Sequence, residues 1–451
     1  KTWIAKKIIE EFGFYKRKRF LIICPAQLRE MWKNEVKDLI LSESILSQEE
    51  LASNDFLEKA KKSVGGNLDE VSLIVVDESH NFRNPLSNRW ENLFALTNHI
   101  VKDGKRPYIL FLTATPINNT IWDLYWQIML LTLMDQNTFL KEGIQSLFKF
   151  FKDIDKEGDM ALLNDLMNEI SIRRTRDYIK QNYPDAEINR EKIIFPERIL
   201  ENINYQLDRT YQGLYRDISM IISEKLTMAY YRVLEYRRAE MRTKDEEMAL
   251  GRMVALEGIF RTILLKRLES SVEAFRKSIS NHLGFLERFK EYLQMGKLLT
   301  KKTFYKYVSN LDEETAEEFI DELEDINLED YRKEELFGNI DMDIALFNEM
   351  GRMVETIDAE ADAKLKELKK RLLELSRKGQ VVVFTYYADT LDYIHKNISE
   401  DSLFSKIKIE KISGRVASAT RRTRIVDDFM KGEINILMST DVLSEGMNLQ
   451  K

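Results

Sequence analysis

Short apolar runs alternate along this chain with longer stretches whose apolar positions recur at helical spacing. The runs FLIIC (20–24), VSLIVVD (71–77) and YILFL (108–112) are rich in β-branched and aromatic residues, and they read as buried strands. Ile4, Ile8, Ile9 and Phe12 fall at helical spacing ahead of the first strand, and a helix carrying Trp32 follows it. A polar connection then leads to the second strand, and Arg83-Asn84-Pro85 marks a turn before the third. Strands alternating with helices in this way predict a parallel, doubly wound sheet. From about 145 to 360 the pattern is helical, and Pro184 and Pro196 are the only prolines. Leu365, Leu368, Leu372 and Leu375 then form one face of an amphipathic helix, which leads into a further strand, VVVF (381–384).

The chemistry sits where these strands stop. The second strand ends in Asp77-Glu78, followed by Ser79-His80, which places two adjacent carboxylates at the C-terminal edge of a sheet, where open α/β folds bind ligands. One carboxylate can hold Mg²⁺ through its water shell, and its neighbour can orient a water that attacks a phosphate. Taken alone, the pair also reads as two acids opening a solvated turn. The third strand ends in Thr113-Ala114-Thr115-Pro116, small hydroxylated residues that can link one ligand site to another or simply cap a strand. Lys1-Thr2, followed at once by a helix, is how a phosphate-binding loop finishes.

Composition narrows the class. A chain of 451 residues, 44% hydrophobic and 32% charged, is long enough for two or three domains with sizeable cores. No run approaches the roughly 20 consecutive apolar residues of a membrane span, and no secretory signal opens the chain. The single Cys24 excludes an internal disulfide framework and fits a reducing, cytoplasmic setting. One cysteine and four scattered histidines leave little material for a structural zinc site. A net charge of −7 does not advertise a nucleic-acid binder, yet phosphate affinity comes from local patches rather than the total.

Taken in order, these segments resemble the Swi/Snf-type ATPases of helicase superfamily two, in a bacterial-like branch. Lys1-Thr2 is similar to the end of that family's motif I, ICPAQL (23–28) to motif Ia, DESH (77–80) to motif II and LTATP (112–116) to motif III. Further on, VVVFTY (381–386) is similar to motif IV. Ser413-Gly414, Arg421, Arg422 and Phe429 match the segment that follows it, and ILMSTDVLSEGMNLQ (436–450) matches motif V. Arg173-Arg174 resembles the paired arginines these ATPases carry between their lobes. The resemblance implies an α/β fold of two RecA-like parallel-sheet lobes, 1–145 and 361–451, with a large α-helical insertion at 146–360.

The same resemblance implies ATP and Mg²⁺ as cofactors, held in the cleft between the lobes. By position, Lys1 and Thr2 would meet the phosphates, with Thr2 and Asp77 on Mg²⁺ and Glu78 orienting the attacking water. Glu445 and Gly446 would approach the nucleotide from the second lobe. Thr113 and Thr115 would couple hydrolysis to lobe closure. Pro25, Gln27, Thr385, Gly414 and Thr440 would contact a nucleic-acid backbone, and the expected track is duplex DNA followed without strand separation. Family members often have paired glycines where this chain has Leu443-Ser444. The phosphate-loop glycines do not precede Lys1, and the motif VI arginines do not follow Lys451. On this reading the chain is a fragment running from the end of motif I to motif V, weak or inactive by itself, from an ATP-dependent translocase of the bacterial cytosol.

Two features of the insertion carry alternatives. Tyr230-Tyr231-Arg232 and Tyr236-Arg237-Arg238 interleave aromatic and basic residues, which can bind nucleic acid but more commonly pack aromatics into a core under Arg stems. Lys266 and Arg267 could face the track. The acid-rich stretch 312–343 would repel phosphate and reads as a solvated helical face, with a linker or a protein-docking surface as the other options. Rival functions are another superfamily-two engine (a restriction-type translocase or an RNA-polymerase-recycling ATPase) and a non-catalytic scaffold that retains the motor fold.

Overall fold

Apolar and polar positions fail to alternate in the runs at 20–24 and 73–76 because both strands are covered on both faces, as parallel strands are. Four strands form the first sheet: β1 (Arg19–Cys24), β2 (Ile45–Ser47), β3 (Val71–Asp77) and β4 (Tyr108–Leu112). Their order is β2-β1-β3-β4, and every pairing is parallel, with Ile23 opposite Val76 and Asp77 opposite Leu112. Successive side chains point to opposite faces. Leu21, Ile23, Ile74 and Val76 therefore pack with Trp90, Leu93, Leu96 and Ile128 on one side. Phe20, Ile22, Leu73 and Val75 pack with Ile9, Leu28 and Trp32 on the other. Because all four strands run the same way, their C-terminal ends share one edge. That edge holds the site.

The computed structural model describes residues 1–38, 44–100, 105–188, 191–192, 194–299, 323–413 and 419–440. The chain folds as two units, Lys1–Ile199 and Leu200–Lys451. The helices Leu147–Glu157 and Met160–Ile170 bury Leu147, Phe151, Ile154, Leu163 and Leu166 in the same core as β1 and β3. The first unit thus runs past the boundary at 145 that the sequence pattern suggests. β2 hides inside the polar connection, since a strand of 3 residues is too short to carry a period.

The second unit carries a helical core and a second parallel sheet. The helices Lys244–Ser270, Val272–Gln294 and Lys333–Glu355 enclose Phe260, Phe275, Phe289, Leu336, Ile340 and Phe347. Tyr230, Tyr231 and Tyr236 are buried in that core, which is the packing alternative for the aromatic and basic segment. The sheet consists of Val381–Phe384, Ile409–Ile412 and Ile436–Ser439, all parallel, with Ile436–Ser439 in the middle. Among the described residues, no helix is long and apolar enough to cross a membrane.

Two expectations for this unit are corrected. Arg267 does not face outward as a track-reading cation. It is buried, donates to the Ala274 carbonyl at 3.0 Å and ion-pairs with Asp389, which also meets Lys277 at 3.2 Å. Ser271 and Thr390 add a hydroxyl contact of 2.9 Å beside it, so this buried polar joint ties the helical core to the helix Ala388–Ser399 beside the second sheet. Lys266 is exposed. The acid-rich stretch is not uniformly a solvated face either. Residues 312–322 lie outside the described residues, and Asp343 is fully buried, accepting from the Thr227 amide at 2.6 Å and the Thr227 hydroxyl at 2.9 Å. A buried carboxylate survives there because such donors replace its lost water.

His282 lies in the helical core, its Nε2 2.5 Å from the Tyr230 hydroxyl and its ring among Phe260, Phe285 and Phe347. Burial pushes its pKa down to about 3 from 6.5. The unfolded chain takes up this proton below 6.5 while the folded chain refuses it until about 3, so stability present above 6.5 drains as pH falls. At pH 5 the loss is about 2 kcal/mol. His282→Gln, measured by urea denaturation at pH 7 and pH 5, should remove that difference, whereas an unchanged acid sensitivity would place the effect elsewhere.

Candidate functional site

β3 ends with its last residue buried, and the chain then reverses sharply. Asp77 and Glu78 are only 4% and 6% exposed, so their charges must be met inside the protein rather than by water. The two acids are met differently. Asp77 Oδ2 accepts from Trp32 Nε1 at 3.0 Å, and its Oδ1 accepts from the Glu78 amide at 2.9 Å. Trp32 can reach because the helix Arg29–Val36 lies on the β1–β3 face and buries its indole, whose N–H needs a partner there. Glu78 Oε1 instead accepts from Lys1 Nζ at 2.9 Å, and its Oε2 lies 3.4 Å from His80 Nδ1.

These partners push the two carboxyls apart. Burial raises the Asp77 carboxyl above its ordinary range, with the Trp32 hydrogen bond only partly opposing it. Burial would raise Glu78 as well, but hydrogen bonds from His80 and Lys1 outweigh it and hold that carboxyl below its usual value. Glu78 is therefore an ionised acceptor under a lysine. Asp77 is met by neutral donors that offset its burial incompletely, so it holds a proton more tightly than an ordinary aspartate.

Backbone geometry marks the same residue. Glu78 adopts φ 48 and ψ 51, the left-handed region that side-chain-bearing residues seldom occupy. Such a conformation costs on the order of 1–3 kcal/mol and persists only where the surroundings enforce it. Here Gln48 Nε2 donates to the Asp77 carbonyl at 2.7 Å, and Asn81 Nδ2 donates to Gln48 Oε1 at 3.0 Å. Ser79 Oγ donates to Gln127 Oε1 at 3.1 Å, and Gln127 Nε2 donates to the Pro116 carbonyl at 2.8 Å.

The loop after β4 joins this network. Thr113 Oγ1 lies 3.2 Å from His80 Nδ1 and accepts from the Thr115 amide at 3.2 Å. Of the two threonines expected to couple the site to its surroundings, Thr113 touches the acidic turn. Thr115 is exposed and is joined to it through Thr113. Pro25 and Gln27 follow β1 at the same sheet edge, Pro25 buried and Gln27 exposed. Lys1 caps the helix Thr2–Glu10, and Thr2 is its first residue. Cys24 ends β1 with its thiol pushed up to about 12 by burial and by Asp77, which makes it a poor nucleophile.

The second sheet places its candidates at its own C-terminal edge. Thr385 and Thr440 follow neighbouring strands, with the Thr385 amide donating to the Ser439 carbonyl at 3.0 Å and the Thr440 amide to the Ile412 carbonyl at 3.3 Å. They are brought together. Gly414, Glu445 and Gly446 lie outside the described residues.

The donor set fits a hard divalent cation with a polyphosphate. Mg²⁺ typically takes one or two carboxylates and completes its shell with water and substrate oxygens. Asp77 supplies such a carboxylate, under-compensated and at a sheet edge. Among the described residues no group of three or more His, Cys, Asp or Glu could form an all-protein cage. Sequence reading missed Trp32 as a partner of Asp77, and it missed both glutamines. One signal was available for Gln48. Ser47-Gln-Glu-Glu50 is a capping box, with the Glu50 amide 3.0 Å from Ser47 Oγ and the Ser47 amide 2.8 Å from Glu50 Oε2, and it starts a helix at Gln48 immediately after β2.

Residues 6–237 match the SNF2-related domain, and residues 363–451 match the helicase conserved C-terminal domain. Over 234 residues the chain is 26% identical to the uncharacterized ATP-dependent helicase YqhH of Bacillus subtilis, covering 49% of this chain and 37% of that one. Over 185 residues it is 24% identical to chromodomain-helicase-DNA-binding protein 1-like of Mus musculus, covering 37% and 19%. The chain thus spans well under half the length of these curated relatives. Among solved structures, the Hef helicase domain of Pyrococcus furiosus aligns at 16% identity with a TM-score of 0.34, covering 100% of this chain and 82% of that one. The Sulfolobus solfataricus SWI2/SNF2 ATPase core in complex with dsDNA aligns at 16% identity and 0.29, covering 97% and 69%.

Trp32→Phe deletes the N–H that meets a buried carboxylate oxygen, and should cost about 1–3 kcal/mol in urea denaturation. In an Asp77→Asn background the same change should cost clearly less, because no buried charge is left unmet. Equal costs in both backgrounds would mean that the indole acts by packing alone.

Proposed function

The chain belongs to the SNF2-related family of helicase-like ATPases, and from that premise we propose that it is part of an ATP-driven motor that moves along duplex DNA without separating its strands. The observation that carries this reading is the turn after β3, where Glu78 is held left-handed and ionised beside a lysine, one residue beyond a buried Asp77. A merely solvated acidic turn would need neither the burial nor the strained backbone.

In this reading ATP with Mg²⁺ supplies the phosphoanhydride bond and the positive charge that draws electrons from it. Asp77 would hold the metal, with the Thr2 hydroxyl near it, and Lys1 would leave Glu78 for the phosphates. That exchange would free the Glu78 carboxylate to orient a water and take its proton. With Lys1 withdrawn, Glu78 would lose one of the two donors that hold its pKa down and would become a stronger proton acceptor for that water. His80 and Thr113 would carry the state of this turn to the loop after β4. Pro25 and Gln27 after the first sheet's strands, Thr385 and Thr440 after the second's, and Gly414 would contact the DNA backbone. Contacts of that type position the protein on its track without reading sequence. Glu445 and Gly446 would approach the nucleotide, and a side chain at Gly446 would block that approach. A cytoplasmic setting and a protein partner for the helical segment complete the proposal.

Glu78→Gln tests it. In the intact protein the substitution should lower DNA-stimulated ATP turnover by at least about 10²-fold, the scale on which general acid–base groups act. Binding of a fluorescent ATP analogue with Mg²⁺ should survive. Turnover that duplex DNA stimulates equally in both proteins would remove this mechanism.

A further inference from the structure

Two buried amide side chains grip the acidic turn from opposite sides, and the hydrolytic chemistry proposed for that turn uses neither. Gln48 is wholly buried and Gln127 nearly so, an expensive placement for a primary amide unless its hydrogen bonds are made. Each is made. Gln48 donates to the Asp77 carbonyl and accepts from Asn81, so it spans the turn from the residue before Glu78 to the third residue after it. Gln127 accepts from the Ser79 hydroxyl and donates to the carbonyls of Pro116 and, at 2.9 Å, Asp123. It thereby fastens the residue after Glu78 to the loop after β4.

Both glutamines come from rigid places. Gln48 opens the helix Gln48–Leu51 that the Ser47–Glu50 capping box starts beside β1. Gln127 lies inside the helix Trp122–Leu131, whose Asp123 accepts from the amides of Asn118 at 3.0 Å and Asn119 at 2.7 Å. The strained residue lies between the two anchors. Ordinary strand-end packing explains neither the pairing of buried amides nor their convergence on one left-handed residue.

Resting on the functional reading above, we infer that Gln48 and Gln127 are positioning residues for Glu78. They fix the backbone on either side of it, so that its carboxylate points at one place rather than sampling the ordinary regions of φ and ψ. Gln127 has a second role. Through Pro116 it makes the pose of Glu78 depend on the loop that carries Thr113 and Thr115. Neither amide touches the reacting atoms.

The test uses Gln48→Met and Gln127→Met, which keep side-chain length and remove the hydrogen bonds, and Ser79→Ala, which deletes only a hydroxyl and serves if Gln127→Met does not fold. In the intact protein with saturating duplex DNA, each glutamine variant should lower kcat roughly tenfold while KM for ATP stays within about twofold, the pattern of an interaction realised in the transition state. Hydrogen–deuterium exchange without nucleotide should speed up by about tenfold at the amides of residues 78–81, since the turn opens more cheaply. Combining Ser79→Ala with Gln127→Met removes both partners of the Ser79–Gln127 bond, with the Pro116 and Asp123 carbonyls still lacking that donor, and should recover part of the stability but not kcat. The inference fails if exchange at 78–81 is unchanged, or if kcat falls only in proportion to lost stability and returns with it in the double variant. If the unsubstituted protein hydrolyses no ATP, the functional reading fails, and the exchange measurement still decides whether the two amides hold the turn.

Discussion

The constraint on which the rest of the structure depends is the burial of two adjacent carboxylates at the end of one strand. Neighbouring acids inside a protein repel each other and lose their water, so each needs its own compensation. The chain gives them unlike partners: an indole and a backbone amide for Asp77, a lysine and a histidine for Glu78. The outcome is a pair whose proton affinities move in opposite directions. Divergent environments for neighbouring titratable groups are how one site assigns different roles to chemically similar side chains. Around that pair, β1 supplies the wall, the helix Arg29–Val36 supplies Trp32, and the loop after β4 supplies Thr113. All of them depend on a parallel sheet delivering its strand ends to a single edge.

Much of this is legible in the chain before it folds. The strands at 20–24 and 71–77 stand out because parallel strands covered on both faces read as unbroken apolar runs, and those at 108–112 and 381–384 carry such runs although they are partly exposed. The acids and threonines stand out because they terminate those runs. Three things are not legible. β2 and the strand Ile409–Ile412 are short or interrupted by charge, so neither carries a period. The left-handed Glu78 leaves no trace in composition, since glutamate is not a residue that signals positive φ. Gln48 and Gln127 lie 79 positions apart in the chain, and only the fold shows that they converge on one turn.

The helical part shows where charge patterns mislead. Arg267 reads as a candidate for the track because it sits in a Lys-Arg pair, yet it is one half of a buried ion pair with Asp389. Breaking one side of such a pair typically costs about 3–5 kcal/mol, because the other charge is stranded. Its place in the fold is therefore architectural: it ties the helical core to the helix Ala388–Ser399, just past Thr385. Asp343 teaches the same lesson from the acidic side. Within a stretch dense in carboxylates, this one turns inward and is capped by Thr227 and Ala229. Local charge density predicts the average exposure of a segment, while individual residues follow the donors that the fold brings to them.

The central claim, that the acidic turn after β3 receives a metal–nucleotide complex, is tested most directly through Trp32, whose indole N–H is bonded to Asp77 itself. Tryptophan emission of the intact protein should change saturably as Mg²⁺ and ADP are added together. Most of that change should vanish in Trp32→Phe, with the other four tryptophans in place, and none should appear when Mg²⁺ is chelated. Nucleotide binding that leaves Trp32 emission untouched, or that proceeds equally without the metal, would contradict the account.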